Sequence, residues 1–282
     1  MDKYNVYQDM SRRTGGEIYL GIVGPVRTGK STFIKRFMEL VVIPEISDDN
    51  EKVRTIDELP QSADGKTIMT TEPKFIPKEA AVIHFSNQET GKIRLIDCVG
   101  YLVPEAVGAI EEEKERMVKT PWSEEEIPFS KAAEIGTSKV IREHSNVGLI
   151  ITTDGSFGDI AAANFEEALQ KTVMECEKAG KPFLILVNTS RPDSQEAIQF
   201  TKRLEAQYGK TVMAVNCKTM DREDVFRIME QLLADFPITR LNFLLPKWVE
   251  FLQPDNWLKQ DLIEKCRNVI QKVHTMKDIQ DD

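Results

Sequence analysis

Histidine is scarce in this chain, with three in 282 residues, and the four cysteines are scattered at Cys98, Cys176, Cys217 and Cys266. None forms a C-x-x-C pair or groups with a histidine. That distribution argues against a zinc site and for reduced thiols in a cytosolic setting. Long apolar runs are missing too. The strongest, near Leu149 and Leu184, are too short to cross a bilayer, so no transmembrane segment is expected. With the polar start Met1-Asp-Lys-Tyr-Asn, no secretory signal is expected. Nor is there an excess of positive charge: 37 Lys and Arg against 46 Asp and Glu leave a net −9, which argues against a dedicated nucleic-acid partner. What is present is an ordinary apolar fraction of 41%, enough to build a core in one large domain or one domain plus a smaller part.

Strand and helix patterns alternate along most of the length. The apolar run Ile18–Val23 reads as a strand and Ser31–Leu40 as an amphipathic helix. A polar stretch from Ser47 to Pro77 follows, then two strands, Ala80–Ser86 and Lys92–Asp97, joined by a plausible hairpin turn at Asn87–Gly91. The later units are a helix at Lys131–His144, strand Val147–Thr152, helix Asn164–Ala179, strand Pro182–Asn188, helix Ser194–Tyr208, strand Thr211–Asn216 and helix Asp221–Asp235. Continuous β-branched runs alternating with helices predict an α/β fold: a mostly parallel sheet covered by helices on both faces, with one antiparallel hairpin early, as in small GTPase-like domains. Gly108–Pro128 reads as an acidic, irregular insertion. The domain expectation is a P-loop domain over residues 1–236, with the insertion near 108–128, and a helical segment over 237–282. In that segment Leu258, Leu262, Cys266, Val269, Val273 and Met276 recur at helical spacing.

The chemistry begins at Gly24–Ser31, G-P-V-R-T-G-K-S, a full match to G-x-x-x-x-G-K-[ST] set between a strand and a helix. In that context the loop N–H groups and the helix N-terminus form an anion site. Lys30 reaches the outer phosphates, and the Ser31 hydroxyl joins the coordination of Mg2+. A second apolar strand closes on Asp97-Cys-Val-Gly100, an h-h-D-x-x-G pattern in which Asp97 serves the metal and the Gly100 N–H the γ-phosphate. A switch residue is needed between the two motifs. Gly65-Lys-Thr-Ile-Met-Thr-Thr-Glu-Pro73 lies in the correct interval and offers Thr70 and Thr71, with Thr71 or its neighbour on the metal; the sequence does not choose between them.

Two departures from GTPases matter. Where a GTPase ends its base-recognition strand in [NT]-K-x-D, this chain has Asn188-Thr-Ser-Arg191, and Asp193 falls two residues too late. Arginine has donors only and cannot accept from the guanine edge, so ATP or relaxed specificity becomes the better reading. Many GTPases orient the attacking water with Gln or His directly after D-x-x-G; here that position is Tyr101, a poor base at neutral pH. Inside the loop, Arg27 stands where potassium-activated relatives carry an Asn that helps hold a cation. A guanidinium there supplies charge in cis, as an arginine finger does, or else meets solvent or a neighbouring subunit. The expected nucleotide contacts are Gly24, Arg27, Thr28, Gly29, Lys30, Ser31, Thr32, Gly100 and Asn188. The expected catalytic set is Lys30, Asp97, Thr70, Thr71 and Arg27, and the metal set Ser31, Thr71 and Asp97.

Arg13–Gly24 with the R-T-G-K-S-T loop, Asp57–Ser62, Gly65–Phe75, Asp97–Tyr101, Ala132–Thr137 and Ile151–Gly155 together resemble the stage IV sporulation protein A family of spore-forming bacteria. The resemblance covers nearly the whole chain. It implies a magnesium-dependent ATPase on a scaffold related to translation-factor GTPases, with the phosphate-loop lysine at Lys30, the metal-site acid at Asp97 and the sensing threonines at Thr70 and Thr71. It further implies self-assembly into static filaments at the forespore surface, in the mother-cell cytoplasm, as the base of the spore coat. Family members are longer, so the chain looks like an N-terminal portion, with residues 237–282 opening a middle domain. Coat proteins and a small amphipathic membrane peptide are the partners implied, through regions outside this chain. A GTP-binding switch without a polymer role is the alternative, and a scaffold with a vestigial nucleotide site is the third reading.

Overall fold

The computed structural model describes residues 14–60, 72–84, 90–104, 110–111 and 114–280. The chain divides into two compact units, residues 1–229 and 230–282.

The first unit is built on a six-stranded sheet in the order β10-β9-β8-β1-β3-β2. Its strands are β1 (Ile18–Val23), β2 (Lys74–His84), β3 (Thr90–Asp97), β8 (Val147–Thr153), β9 (Phe183–Asn188) and β10 (Val212–Val215). β1 runs parallel to both β3 and β8, and the β8–β9 and β9–β10 pairs are parallel as well; only the edge strand β2 is antiparallel, to β3. Every residue of β8 and β9 is buried. Successive side chains of a strand point to opposite faces, so burial of both sets means that both faces of the sheet are covered. One face carries Val23, Ile96, Ile150, Ile185 and Val187 against Leu169, Val173 and Leu204. The opposite set, with Leu20, Ile22, Leu95 and Leu149, is fully buried as well. The expected mostly parallel α/β sheet is what forms.

The connecting helices are α1 (Lys30–Phe37), α2 (Asp49–Glu58), α3 (Phe129–Lys139), α4 (Glu166–Ala179), α5 (Gln195–Tyr208) and α6 (Arg222–Ala234), across which the unit boundary falls. α1 and α3 each run on into a π-helical turn, Met38–Val42 and Val140–His144. α2 lies inside the stretch that the sequence presents only as polar. Its start is nevertheless written there: the Asp48 side chain accepts from the Glu51 N–H at 2.8 Å, and Asp49 and Glu51 occupy the first turn, an N-cap with acids at the positive end of the helix dipole. β2 begins at Lys74, earlier than the pattern indicates, because its register shifts between Ile76 and Ala81 around Pro77. Proline is admitted at such a bulge on an edge strand.

The acidic insertion is not irregular among its described residues. Ile110–Glu111 (β4) pairs with Lys114–Glu115 (β5), and Met117–Thr120 (β6) with Ser123–Pro128 (β7), both antiparallel. The Glu-rich β7 has poor intrinsic strand propensity. Local tertiary ties hold it, among them the Phe129 N–H to Arg116 carbonyl bond at 2.7 Å and the Arg116 guanidinium 5.6 Å above the Phe129 ring.

The second unit contains α7 (Trp257–Lys272), capped by the Asn256 side chain accepting from the Leu258 N–H, and a short α8 (Lys277–Gln280). The chain on either side of α7 is joined by the Ile238 N–H to His274 carbonyl bond and the Met276 N–H to Phe236 carbonyl bond. No described helix is long and apolar enough to cross a membrane.

Candidate nucleotide site

Parallel pairing brings the motif residues to one edge of the sheet. Register sets Asp97 of β3 opposite Ile22 of β1, two residues before Gly24, and Asn188 of β9 opposite Thr153 of β8. The C-terminal edge of a parallel sheet is where α/β proteins place ligands. Gly24 leaves β1 with φ +131, and a Cβ there would lie 2.3 Å from the Ile151 carbonyl oxygen, so only glycine lets the loop pass β8. The loop turns on the buried Thr28 hydroxyl, which donates to the Pro25 carbonyl at 3.0 Å. It enters α1 through Gly29, which caps the helix in the left-handed conformation with no side-chain cap and no acidic residue in the first turn. The first N–H groups of a helix lack intrahelical acceptors. Here neither a cap nor a carboxylate competes for them, and the dipole adds to their pull on an anion.

Lys30 is buried, and its ammonium donates to the carbonyls of Pro25 and Gly24. Burial pushes its pKa down, partly offset by Cys98 and Asp97. Asp97 Oδ2 accepts from the Ser31 hydroxyl at 3.3 Å, while Oδ1 is sealed from solvent with no partner among the described residues. Burial raises the Asp97 pKa, against the pull of Lys30, of the Ser31 hydroxyl and of the Cys98 backbone beside it. The Cys98 thiol is likewise pushed up, to about 11, and stays protonated beside the Ile22 carbonyl. A cation and an anion thus sit around one loop with incomplete solvation. Hard oxygen donors at Asp97 and Ser31 fit Mg2+, which takes one or two protein oxygens and fills its remaining positions with water and phosphate.

The loop is braced on both sides. The Val26 N–H donates to the Tyr101 carbonyl at 2.9 Å, tying the loop to the segment after Asp97. Gly100 presses in with φ +94; a Cβ there would meet Gly24 O at 2.1 Å and Lys30 Nζ at 2.6 Å. On the other side Asn188 donates through Nδ2 to the Thr28 carbonyl and accepts through Oδ1 from the Cys217 N–H, both at 3.0 Å. Both ends of its amide are engaged by protein, so Asn188 shapes the loop and has no free amide group to offer a ligand. Thr32 is half-buried on α1, and Arg27 is exposed. The Tyr101 ring is buried under the Lys171 ammonium, 5.0 Å from its centroid, and burial raises its hydroxyl pKa, which removes it further from the role of a base. Thr70 and Thr71 lie outside the described residues.

At the expected base-binding end, Thr189 has exchanged a lysine's reach for a tight local bond: its hydroxyl donates to Asp154 Oδ2 at 2.6 Å. Ser156 bridges the same two loops, its backbone N–H reaching Asp154 Oδ1 and its hydroxyl accepting from the Ser190 N–H at 2.8 Å. Asp154 and Ser156 escape motif reading; the sequence signal for them is the Thr-Asp-Gly ending of the buried strand β8. Arg191 is exposed and only its backbone N–H joins the cluster, at 3.3 Å from the Thr189 hydroxyl.

Comparison with known proteins adds the following. Residues 1–237 match the family model for the ATPase domain of stage IV sporulation protein A, and residues 238–282 match that for its middle domain. Stage IV sporulation protein A of Bacillus subtilis (strain 168) is 47% identical over 279 residues, covering 99% of this chain and 57% of the relative. The Bacillus anthracis protein is 46% identical over 99% of this chain, and that of Clostridioides difficile (strain 630) 45% identical over 98%. The chain therefore spans 57% or 56% of the length of these relatives.

Proposed function

The chain belongs to the stage IV sporulation protein A family, and from that premise we propose that residues 1–237 bind ATP with Mg2+, hydrolyse it slowly, and use the cycle to drive self-assembly. The observation that carries the chemistry is the grouping of buried Lys30 with half-buried Ser31 and Asp97, with Asp97 Oδ1 left without a partner among the described residues. In this reading the loop N–H groups and Lys30 hold the β- and γ-phosphates, exchanging the Gly24 and Pro25 carbonyls for phosphate oxygens. Ser31 and Asp97 hold the metal, and the Gly100 N–H borders the γ-phosphate. Mg2+, when bound, neutralises charge on the phosphate oxygens. Thr70 and Thr71 are proposed as the sensing residues. The sheet order with its single antiparallel edge strand supports a translation-factor-related GTPase ancestry. The donor-only Arg191, with Thr189 committed to Asp154, supports loss of guanine selection.

The family assignment supports a role in sporulation. We place this chain's product in a static filament that founds the spore coat, at the forespore surface in the mother-cell cytoplasm. Coat proteins and a small membrane peptide are further proposed partners, to which no residue here is assigned. The test is a direct comparison of ATP and GTP binding and turnover, with Lys30→Ala as control. ATP is expected to bind at least as tightly as GTP, and Lys30→Ala to lose most binding of either. A strong GTP preference would instead favour a regulatory GTP switch.

A further inference from the structure

Arg27 is the one residue other than glycine with positive φ among the described residues, at +63. Both neighbours explain how that conformation persists. Val26 is fixed by its N–H bond to the Tyr101 carbonyl, and Thr28 by its hydroxyl on Pro25 and by Asn188 on its own carbonyl. A side chain is rarely kept in the left-handed region unless its surroundings impose it, and such outliers concentrate where a site needs a particular group. Glycine would occupy this position at no steric cost. The guanidinium it carries instead is exposed, with no hydrogen bond or ion pair among the described residues. Lys30, by contrast, is buried on the inner side of the loop against Gly24 and Pro25. The loop therefore carries two cations, one buried and one exposed to solvent.

We propose that Arg27 is a catalytic residue supplied in cis, its guanidinium resting on the polyphosphate at the bond that breaks; this rests on the ATPase reading above. In the step, the oxygen of a water bonds to the γ-phosphorus, and the bond from that phosphorus to the oxygen bridging to the β-phosphate breaks. The bridging oxygen keeps the electron pair and leaves on ADP, and both protons of the water leave with inorganic phosphate, which releases one of them to solvent near neutral pH. Arg27 neither gives nor takes a proton, because a guanidinium stays charged at any working pH. It meets the negative charge that accumulates on the leaving oxygen, which is small in bound ATP and large in the transition state.

Arg27→Gly separates this from a structural role, since glycine keeps the loop conformation and removes only the charge. The ligand-free melting temperature is expected to be unchanged or higher, and affinities for ADP and for a non-hydrolysable ATP analogue to stay within about threefold. Turnover is expected to fall by about a hundredfold or more, toward the range known for arginine fingers, and affinity for ADP–aluminium fluoride to fall with it. Arg27→Lys restores part of both. Mixing Arg27→Gly protein with Lys30→Ala protein, which carries an intact Arg27, is expected to restore nothing. Unchanged turnover and unchanged ADP–aluminium fluoride affinity in Arg27→Gly would overturn the proposal, as would equal losses for ground-state and transition-state analogues. Rescue by the Lys30→Ala protein would overturn the cis assignment by showing that the arginine acts between copies. Wild-type protein that binds ATP but never hydrolyses it would overturn the ATPase reading, and this proposal with it.

Discussion

Asp97→Asn should stabilise the ligand-free protein while destroying its response to magnesium. The Asp97 carboxylate stands in a place that disfavours charge: Oδ1 is sealed and unpartnered among the described residues, and burial is the largest influence on its pKa, which moves up. The attraction to Lys30 acts in the opposite sense and is already contained in that net direction. Asparagine keeps the size and the acceptor for the Ser31 hydroxyl but removes the charge. A buried charged group short of a partner costs about 1–3 kcal/mol or more. At roughly 2–4 °C per kcal/mol for a domain of this size, the ligand-free melting temperature should rise by roughly 2–12 °C near pH 7.5. The pH dependence follows from linkage. A folded-state pKa raised above the unfolded value means that Asp97 favours the fold when protonated. That contribution is fully present below the unfolded value of about 3.9 and is lost as pH rises through the folded one. The two proteins should therefore melt together in acid and diverge as pH increases. Saturating Mg–ATP should invert the order, since ligand at about a hundred times its Kd adds about 2.7 kcal/mol to wild type and the variant loses the metal-dependent part. Thermal melts across pH, with and without Mg–ATP, read both effects. An Asp97→Asn protein that melts lower than wild type at pH 7.5 would refute the reasoning, because the Lys30 attraction would then outweigh burial.

Two further substitutions probe the braces of the loop. Asn188→Ala leaves the Thr28 carbonyl and the Cys217 N–H without their partner, and at about 1–3 kcal/mol for each buried group the loss should be roughly 2–6 kcal/mol by chemical denaturation; a loss below about 0.5 kcal/mol, the level of an ordinary surface change, would mean that the amide is dispensable. Gly100→Ala sets a methyl 2.1 Å from Gly24 O and 2.6 Å from Lys30 Nζ at a φ of +94, so calorimetric titration should find ATP affinity reduced at least about tenfold, the equivalent of about 1.4 kcal/mol, with wild-type affinity counting against a tight Gly24–Lys30–Gly100 contact.

The sheet was legible because burial on both faces writes itself as unbroken apolar runs; Val147–Thr153 and Phe183–Asn188 are such runs, and both are strands. α2 was lost to its polar composition, since a helix with one buried residue, Thr55, has almost no apolar stripe to detect. The β6–β7 hairpin was lost for the opposite reason: three consecutive glutamates argue against a strand that tertiary contacts nonetheless hold. At the site, residue types at fixed motif spacing could be singled out in advance, and the structure brings Lys30, Ser31 and Asp97 around one loop. Asp154 and Ser156 could not be singled out as partners of Thr189, because those bonds span 35 and 33 positions, and the Thr-Asp-Gly ending of β8 marks the turn but not the pairing.

The same bonds indicate how a nucleotide would be felt beyond the loop. A ligand shifts a conformational equilibrium only by as much as it binds one state better than another. In the structure Lys30 spends its donors on Gly24 and Pro25, and Pro25 forms a parallel bridge to Tyr101. A phosphate that draws the ammonium away frees two carbonyls of the loop stretch that Tyr101 and Gly100 grip from the other side. The Tyr101 ring is buried and held under Lys171, whose ammonium also pairs with Glu134 of α3. Any displacement of Tyr101 must then either strain that packing or move α3 and α4 with it. Close packing offers few intermediate positions between those two outcomes. On the proposed reading, the contact of Pro25 and Val26 with Tyr101 would be the element whose equilibrium bound phosphates bias, with no contact required between the nucleotide and Tyr101 itself.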